Sequence, residues 1–121
     1  MAINKVLIVD DSSTDRSNLS NIVDAAGCTV LTASNGREAV EMAKQEKPDI
    51  IFMDIVMDEM DGYEATRTLS NDVSTKSIPV IFVSSKRQKA DRVWAKMQGG
   101  KDLVSKPFSA QQIMDQIKAY T

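Results

Sequence analysis

Short apolar runs alternate with helix-like patterns five times along the chain. Three of the runs are continuously apolar and rich in β-branched residues, as in strands that are buried on both faces. The runs predict strands at residues 6–9, 30–33, 50–53, 80–83 and 103–105. Five strands that alternate with helices indicate a parallel sheet with helices on both faces, because crossovers between parallel strands are right-handed.

The segments between the runs carry apolar residues at helical spacing, for example Leu19, Ile22 and Val23. Four helix starts are indicated by a cap residue that is followed three positions later by an acidic or amide side chain. These pairs are Asn35 with Glu38, Asp61 with Glu64, Ser85 with Gln88, and Ser109 with Gln112. The polar segment 70–79 is predicted to be a loop.

The length of 121 residues suits one domain, which we expect to span residues 1–121. No apolar run approaches the ~20 residues that cross a bilayer, and the first residues lack the pattern of a secretory signal. The single cysteine, Cys28, cannot form an internal disulfide and fits a reducing compartment. We therefore expect a cytoplasmic protein without membrane insertion. Because the chain ends about one helix after Lys106, we expect no attached output domain.

The charge pattern and the absence of histidine restrict the chemistry. The net charge is −2, and there is no basic cluster of the kind that binds nucleic acid, so we expect no nucleic-acid partner. The absence of histidine excludes histidine zinc sites and Ser-His-Asp triads. Any chemistry must therefore use carboxylates, hydroxyls and lysines.

Polar residues follow four of the predicted strands. Asp10 and Asp11 follow the first strand, Asp54 the third, Ser84 the fourth and Lys106 the fifth. In a doubly wound sheet, the carboxyl ends of the strands form the ligand crevice. Three carboxylates there would repel one another unless a cation lay among them, and an all-oxygen site suits Mg²⁺. A hydroxyl and an ammonium could hold phosphoryl oxygens, and an aspartate could act as the nucleophile.

Each of these residues also has an ordinary interpretation when it is taken alone. An aspartate after a strand is often a turn or cap residue, a serine such as Ser84 ends many strands, and Lys106 could be a solvated surface charge. Complementary chemistry at four independent strand ends is what favours a phosphoryl site.

The sequence resembles the receiver domains of bacterial two-component response regulators, the CheY-like family. The matching segments occur in order along the whole chain: residues 6–11, residues 54–57 leading to Asp61 and Gly62, residues 79–84, and residues 106–108. The resemblance implies a flavodoxin-like (βα)5 doubly wound α/β fold with strand order 2-1-3-4-5.

The resemblance also implies a role for each acidic residue. Asp54 corresponds to the phosphoryl acceptor of the family. Asp11 corresponds to a direct Mg²⁺ ligand, and Asp10 to a neighbour that acts on the metal largely through water. Val56 would offer the metal its backbone carbonyl, which any side chain permits.

The remaining strand-end residues correspond to the groups that hold the phosphoryl group. Ser84 stands where the family has a threonine or serine that donates to it. Lys106 stands where the family has a lysine that pairs with it. The peptide bond between Lys106 and Pro107 is expected to be cis by the same resemblance.

A finer resemblance concerns residues 91–99, which are similar to the stand-alone PilH-like regulators of type IV pilus twitching motility. It implies a monomeric switch that catalyses only its own phosphorylation and dephosphorylation. A CheA-like histidine kinase would supply the phosphoryl group. The output would be contact with a downstream protein, such as the pilus machinery, or simple consumption of phosphoryl groups. Trp94 in this segment fits either a half-buried helix position or a docking position.

Three residues depart from the family pattern. Asp58 stands where a proline is usual, Ser85 replaces a small residue, and Leu103 replaces an aromatic residue whose rotation reports phosphorylation in relatives. The side chains best placed to orient a hydrolytic water are Val56 and Lys86, and neither can accept its proton. We therefore expect a long-lived phosphorylated state.

Two other classes of protein fit the sequence less well. A phosphohydrolase with an aspartate nucleophile usually has a second acid two residues later, and here that position is Val56. A flavodoxin-like electron carrier would need a phosphate-binding loop rich in Ser, Thr and Gly after the first strand, which this chain lacks.

Overall fold

The computed structural model describes residues 3–85 and 89–121. Within these residues, strands and helices alternate along the chain. They are β1 (Lys5–Val9), α1 (Ser13–Ala25), β2 (Thr29–Ala33), α2 (Gly36–Glu46), β3 (Ile50–Asp54), α3 (Gly62–Ser70), β4 (Val80–Ser84), α4 (Lys89–Met97), β5 (Asp102–Ser105) and α5 (Ala110–Ala119). The five strands lie where the apolar runs predicted them, each within one residue at either end.

The strands form one parallel sheet with the order β2-β1-β3-β4-β5, which confirms the flavodoxin-like fold. Val9 is in register with Met53, and Ser84 is in register with Ser105. The carboxyl ends of β1, β3, β4 and β5 therefore meet at one edge of the sheet.

The core lies on both faces of the sheet, because alternate residues of each central strand point to opposite sides. Leu7 and Val9 of β1 pack in the cluster that includes residues of α2 and α3. Val6 and Ile8 pack in the cluster that includes residues of α1 and α5. Both faces need apolar side chains, so the central strands show no alternation with polar residues.

Most of the predicted helix starts are observed. The side chains of Asn35, Asp61 and Ser109 each accept a hydrogen bond from the backbone N–H three residues on, as N-caps do. The predicted pair of Ser85 and Gln88 cannot be compared, since Gln88 lies outside the described residues. The loop predicted at 70–79 is confirmed, with only its first residue inside α3. Across residues 3–85 and 89–121, no helix is long and apolar enough to cross a membrane.

Candidate functional site

Three carboxylates come together at the carboxyl edge of the sheet. Asp10 and Asp11 follow β1, and Asp54 is the last residue of β3. One carboxylate oxygen from each of the three lies within 4.8 Å of the other two. Asp10 and Asp54 are buried, whereas Asp11 is exposed at the mouth of the cluster. The structure thus brings together the acidic residues that the sequence singled out.

The pKa of Asp54 shows the electrostatic consequence of this crowding. Burial, and after it the negative charge of Asp10, raises this pKa from 3.8 to about 6. The charge of Lys106 and a hydrogen bond of 2.9 Å from the N–H of Ile55 to Oδ1 of Asp54 act in the opposite direction but do not cancel the effect. The surroundings therefore destabilise the ionised carboxylate of Asp54, and a cation among the three acids would stabilise it.

Lys106 provides a positive charge beside the cluster. Its Nζ donates to Oδ2 of Asp10 at 2.9 Å and to Oδ2 of Asp15 at 3.0 Å, and lies 3.7 Å from Oδ1 of Asp54. Burial alone would lower the pKa of Lys106. The hydrogen bonds to Asp10 and Asp15, together with the charge of Asp54, outweigh burial and raise this pKa. The ammonium therefore stays charged inside the site.

The position of Lys106 is fixed by its backbone. Its N–H donates to the carbonyl of Ser84 at 2.7 Å, so the residue continues the pairing of β5 with β4. The peptide bond between Lys106 and Pro107 is cis, as expected. Ser84, the last residue of β4, is buried beside this connection.

The turn between β1 and α1 holds Asp10 in place. Oδ1 of Asp10 accepts a hydrogen bond of 2.9 Å from the N–H of Ser12, and Arg16 donates to the backbone carbonyl of Asp10 at 2.8 Å. Because Oδ2 accepts from Lys106, both oxygens of this buried carboxylate are hydrogen-bonded.

The loop after β3 closes tightly around Asp54. The N–H of Gly62 donates to the carbonyl of Ile55 at 2.8 Å. A Cβ atom at Gly62 would lie only 2.1 Å from the backbone carbonyl oxygen of Asp54, so only glycine fits. Val56 lies within this loop, and its side chain is 70% exposed.

Asp15 is a site residue that the sequence analysis did not identify. It lies in the first turn of α1 and contacts Lys106, 91 residues away in sequence. The spacing of Ser12 and Asp15 resembles the other cap pairs and would have placed Asp15 near the strand ends. Its contact with a lysine from another strand end has no sequence signal.

The oxygen donors of the cluster fit Mg²⁺. Carboxylates are the protein ligands that this ion prefers, and it needs only one or two of them alongside water. Asp54 and Asp10 supply buried negative charge, and Asp11 is exposed to solvent, from which a hydrated ion can approach.

Comparison with known proteins places the chain in a family. Residues 6–118 match the response regulator receiver domain. The chain belongs to this family. PilH of Pseudomonas aeruginosa is 44% identical over 115 residues, which cover 95% of each chain. PilG of the same organism is 36% identical over 116 residues, which cover 96% of this chain and 86% of PilG.

Solved structures support the assignment. Chemotaxis protein CheY4 of Vibrio cholerae matches with a TM-score of 0.91 and 28% identity, over 99% of this chain and 100% of CheY4. A chain of the CheX–CheY–BeF3–Mg²⁺ complex from Borrelia burgdorferi matches with a TM-score of 0.89 and 28% identity, over 96% of this chain and 87% of that one. Receiver domains are signalling switches that take phosphoryl groups from histidine kinases, bind Mg²⁺ at an acidic pocket and contact downstream targets.

Proposed function

We propose that residues 1–121 form one receiver domain that accepts a phosphoryl group on Asp54 from a histidine kinase, with Mg²⁺ as cofactor. The observation that carries this proposal is the placement of the Asp54 carboxylate, which ends β3 beside Asp10 and Asp11 and lies 3.7 Å from the ammonium of Lys106. A nucleophile beside both a cation site and an ammonium is suited to attack phosphorus, because both positive charges can stabilise the charge that develops on the phosphoryl oxygens.

Asp54 is the nucleophile of the proposed transfer step. A carboxylate oxygen of Asp54 attacks the phosphorus atom of a phosphohistidine, a P–O bond forms, and the P–N bond breaks. The electron pair of the P–N bond stays on the leaving nitrogen, and a phosphohistidine whose other ring nitrogen carries a proton departs as neutral imidazole, so the chain needs no acid of its own. Asp11, Asp54 and the backbone carbonyl of Val56 would hold Mg²⁺, with Asp10 acting through water. When bound, the ion would supply positive charge beside the attacking carboxylate and the phosphoryl oxygens.

Ser84 and Lys106 would hold the phosphoryl group once it is bound. Both lie at the same edge as Asp54, and the 3.7 Å between Nζ of Lys106 and Oδ1 of Asp54 leaves the ammonium within reach of a group added there. A charged donor to a phosphoryl oxygen makes a shorter and stronger hydrogen bond than a neutral one.

For the output, we propose contact with another protein through α4. Three large apolar side chains on this helix are exposed: Val93 at 53%, Trp94 at 48% and Met97 at 68%. Exposed apolar clusters are typical of interaction surfaces. The similarity to PilH favours a cytoplasmic, monomeric regulator of type IV pilus twitching motility that is served by a CheA-like kinase. A phosphate-sink role is the alternative form of output.

Phosphoryl labelling tests the acceptor. We expect acetyl phosphate to add one phosphoryl group to the wild type only when Mg²⁺ is present, and to add none to Asp54→Ala. Asp24→Ala, which removes an exposed aspartate of α1, serves as the matched control and should label like the wild type. Undiminished label on Asp54→Ala would contradict the assignment.

Phosphotransfer from the histidine kinases of the source organism tests the partner. We expect the fastest transfer from a kinase of the CheA type. Faster transfer from a kinase of another type would contradict the proposed pathway while leaving Asp54 as the acceptor.

A further inference from the structure

The ammonium of Lys106 is shared between two carboxylates, and Asp15 is the outer one. Nζ lies 2.9 Å from Oδ2 of Asp10 and 3.0 Å from Oδ2 of Asp15, which are both hydrogen-bond distances. Its distance of 3.7 Å from Oδ1 of Asp54 is too long for a hydrogen bond. Lys106 therefore hydrogen-bonds to Asp10 and Asp15 and makes only a longer ion pair with the proposed acceptor.

The ordinary role of Asp15 would be to complete the cap of α1. In a capping box, the third helical residue accepts a hydrogen bond from the N–H of the cap residue, as Gln112 does for Ser109 in α5. In α1 the N–H of Ser12 donates to Oδ1 of Asp10 instead, and the carboxylate of Asp15 accepts from Lys106. The carboxylate of Asp15 therefore binds Lys106 and does not complete the cap of α1.

The hydrogen bonds of Lys106 to Asp10 and to Asp15 differ in the free energy needed to break them. The side chain of Asp10 is 1% exposed, whereas that of Asp15 is 38% exposed. A buried carboxylate that loses its partner pays a large desolvation penalty, but an exposed one is solvated again by water. Lys106 can therefore leave Asp15 far more easily than it can leave Asp10.

We infer that Asp15 is a positioning residue that holds Lys106 away from Asp54 until a phosphoryl group competes for the ammonium. This inference rests on the proposed function of Asp54. It makes the contact between Asp15 and Lys106 part of the unphosphorylated state, and this contact lengthens when Lys106 turns toward a phosphoryl oxygen. Asp15 therefore acts through Lys106 and disfavours the phosphorylated state.

Binding of beryllofluoride, a phosphoryl mimic, at saturating Mg²⁺ tests the inference. We expect Asp15→Ala to bind it about two- to fivefold more tightly than the wild type, which matches the strength of a partly exposed ion pair. Asp15→Glu should restore the wild-type affinity. Asp24→Ala, from the exposed part of the same helix, should leave the affinity unchanged. Asp15→Asn, which keeps the size of the side chain in the first turn, replaces Asp15→Ala should the latter unfold.

A double-mutant cycle with Lys106→Met separates a contact through Lys106 from simple repulsion between Asp15 and the mimic. We expect the gain to vanish in the Lys106→Met background, and exchange of the Lys106 Nζ protons in NMR spectra to be faster in Asp15→Ala than in the wild type. An equal gain with and without Lys106, no gain at all, or unchanged proton exchange would overturn the inference. Failure of the wild type itself to bind the mimic would instead count against the proposed function.

Discussion

The Oδ1 atom of Asp54 and the Nζ atom of Lys106 lie 3.7 Å apart, although β4 separates the strands β3 and β5 that lead to them. The pair is formed because parallel strands in register end at the same edge, and because Lys106 extends one residue beyond β5. A change of charge at Asp54 therefore alters the electrostatic energy of Lys106, which in turn hydrogen-bonds to Asp10 and Asp15.

The first prediction concerns the pH dependence of stability without metal. Because the pKa of Asp54 is raised from 3.8 to about 6 on folding, its favourable contribution is fully present below about pH 4 and is lost as the pH rises through about 6. We expect Asp54→Asn to unfold like the wild type near pH 4 and to be about 2–3 kcal/mol more stable near pH 8. Urea unfolding at several pH values measures this difference.

The control for this prediction is Asp24→Asn, since Asp24 is exposed on α1. Its stability should run parallel to that of the wild type at every pH. If the stability of Asp54→Asn also ran parallel to that of the wild type at every pH, folding would not raise the pKa of Asp54.

The second prediction concerns the metal. Asp11→Asn removes one of three crowded carboxylates, so we expect a modest gain in the stability of the metal-free protein. Its Mg²⁺ affinity should fall at least about tenfold, since even indirect contacts to a metal cost that much. Titration with Mg²⁺, followed by Trp94 fluorescence or calorimetry, measures the Mg²⁺ affinities of the wild type and the variant. Urea unfolding without metal measures the difference in stability. Wild-type affinity in Asp11→Asn would place the metal elsewhere.

The strand ends could be predicted from sequence because burial on both faces leaves a clear signal. The runs at β3 and β4 admit no polar residue until Asp54 and Ser84, so those residues stand out as the points where the chain meets the crevice. Lys106 follows a shorter strand and was placed at the crevice by the same reasoning, whereas its pairing with the phosphoryl group is what the family resemblance implies. The direction of its side chain toward Asp15 had no signal, because an ion pair across 91 residues leaves no periodic pattern.

The residues that contact Trp94 could not be predicted from the sequence either. Helical spacing shows where a residue lies on its own helix, but the ring that it contacts depends on how α3 and α4 pack. The ring of Tyr63 on α3 lies edge-on to Trp94 with centroids 6.4 Å apart.

The third prediction uses this aromatic contact. Tyr63 also packs edge-on against Phe82 of β4, with centroids 5.1 Å apart, and it follows Gly62, which packs on Asp54. Leu103, at the usual aromatic position, is buried and has no ring to rotate. We therefore expect beryllofluoride with Mg²⁺ to change Trp94 fluorescence through Tyr63, and Tyr63→Leu to reduce the change. An unaltered spectrum at saturation would exclude α4 from the response.

The last prediction is that the phosphorylated state is long-lived. Hydrolysis of an aspartyl phosphate needs a water molecule aligned behind phosphorus, and misplacement of the attacking group costs orders of magnitude in rate. The side chain of Val56 is 70% exposed beside Asp54 but has no donor or acceptor with which to orient water. Lys86, the other flanking residue, lies outside the described residues. As a lysine it has donors but no acceptor, so it cannot take the proton of the water.

Asp58 is a competing base in the loop after β3, and it is an extra charge because the family usually has proline there. It is exposed in the structure, so we expect it to point away from phosphorus and to leave the lifetime unchanged when it is replaced by alanine. Val56→Asn supplies a side chain that can hold water and should shorten the lifetime about tenfold or more. Release of inorganic phosphate from the purified phosphoprotein measures the hydrolysis rates of the wild type, Asp58→Ala and Val56→Asn. A wild-type lifetime of only seconds, lengthened in Asp58→Ala, would identify Asp58 as the base and refute the prediction.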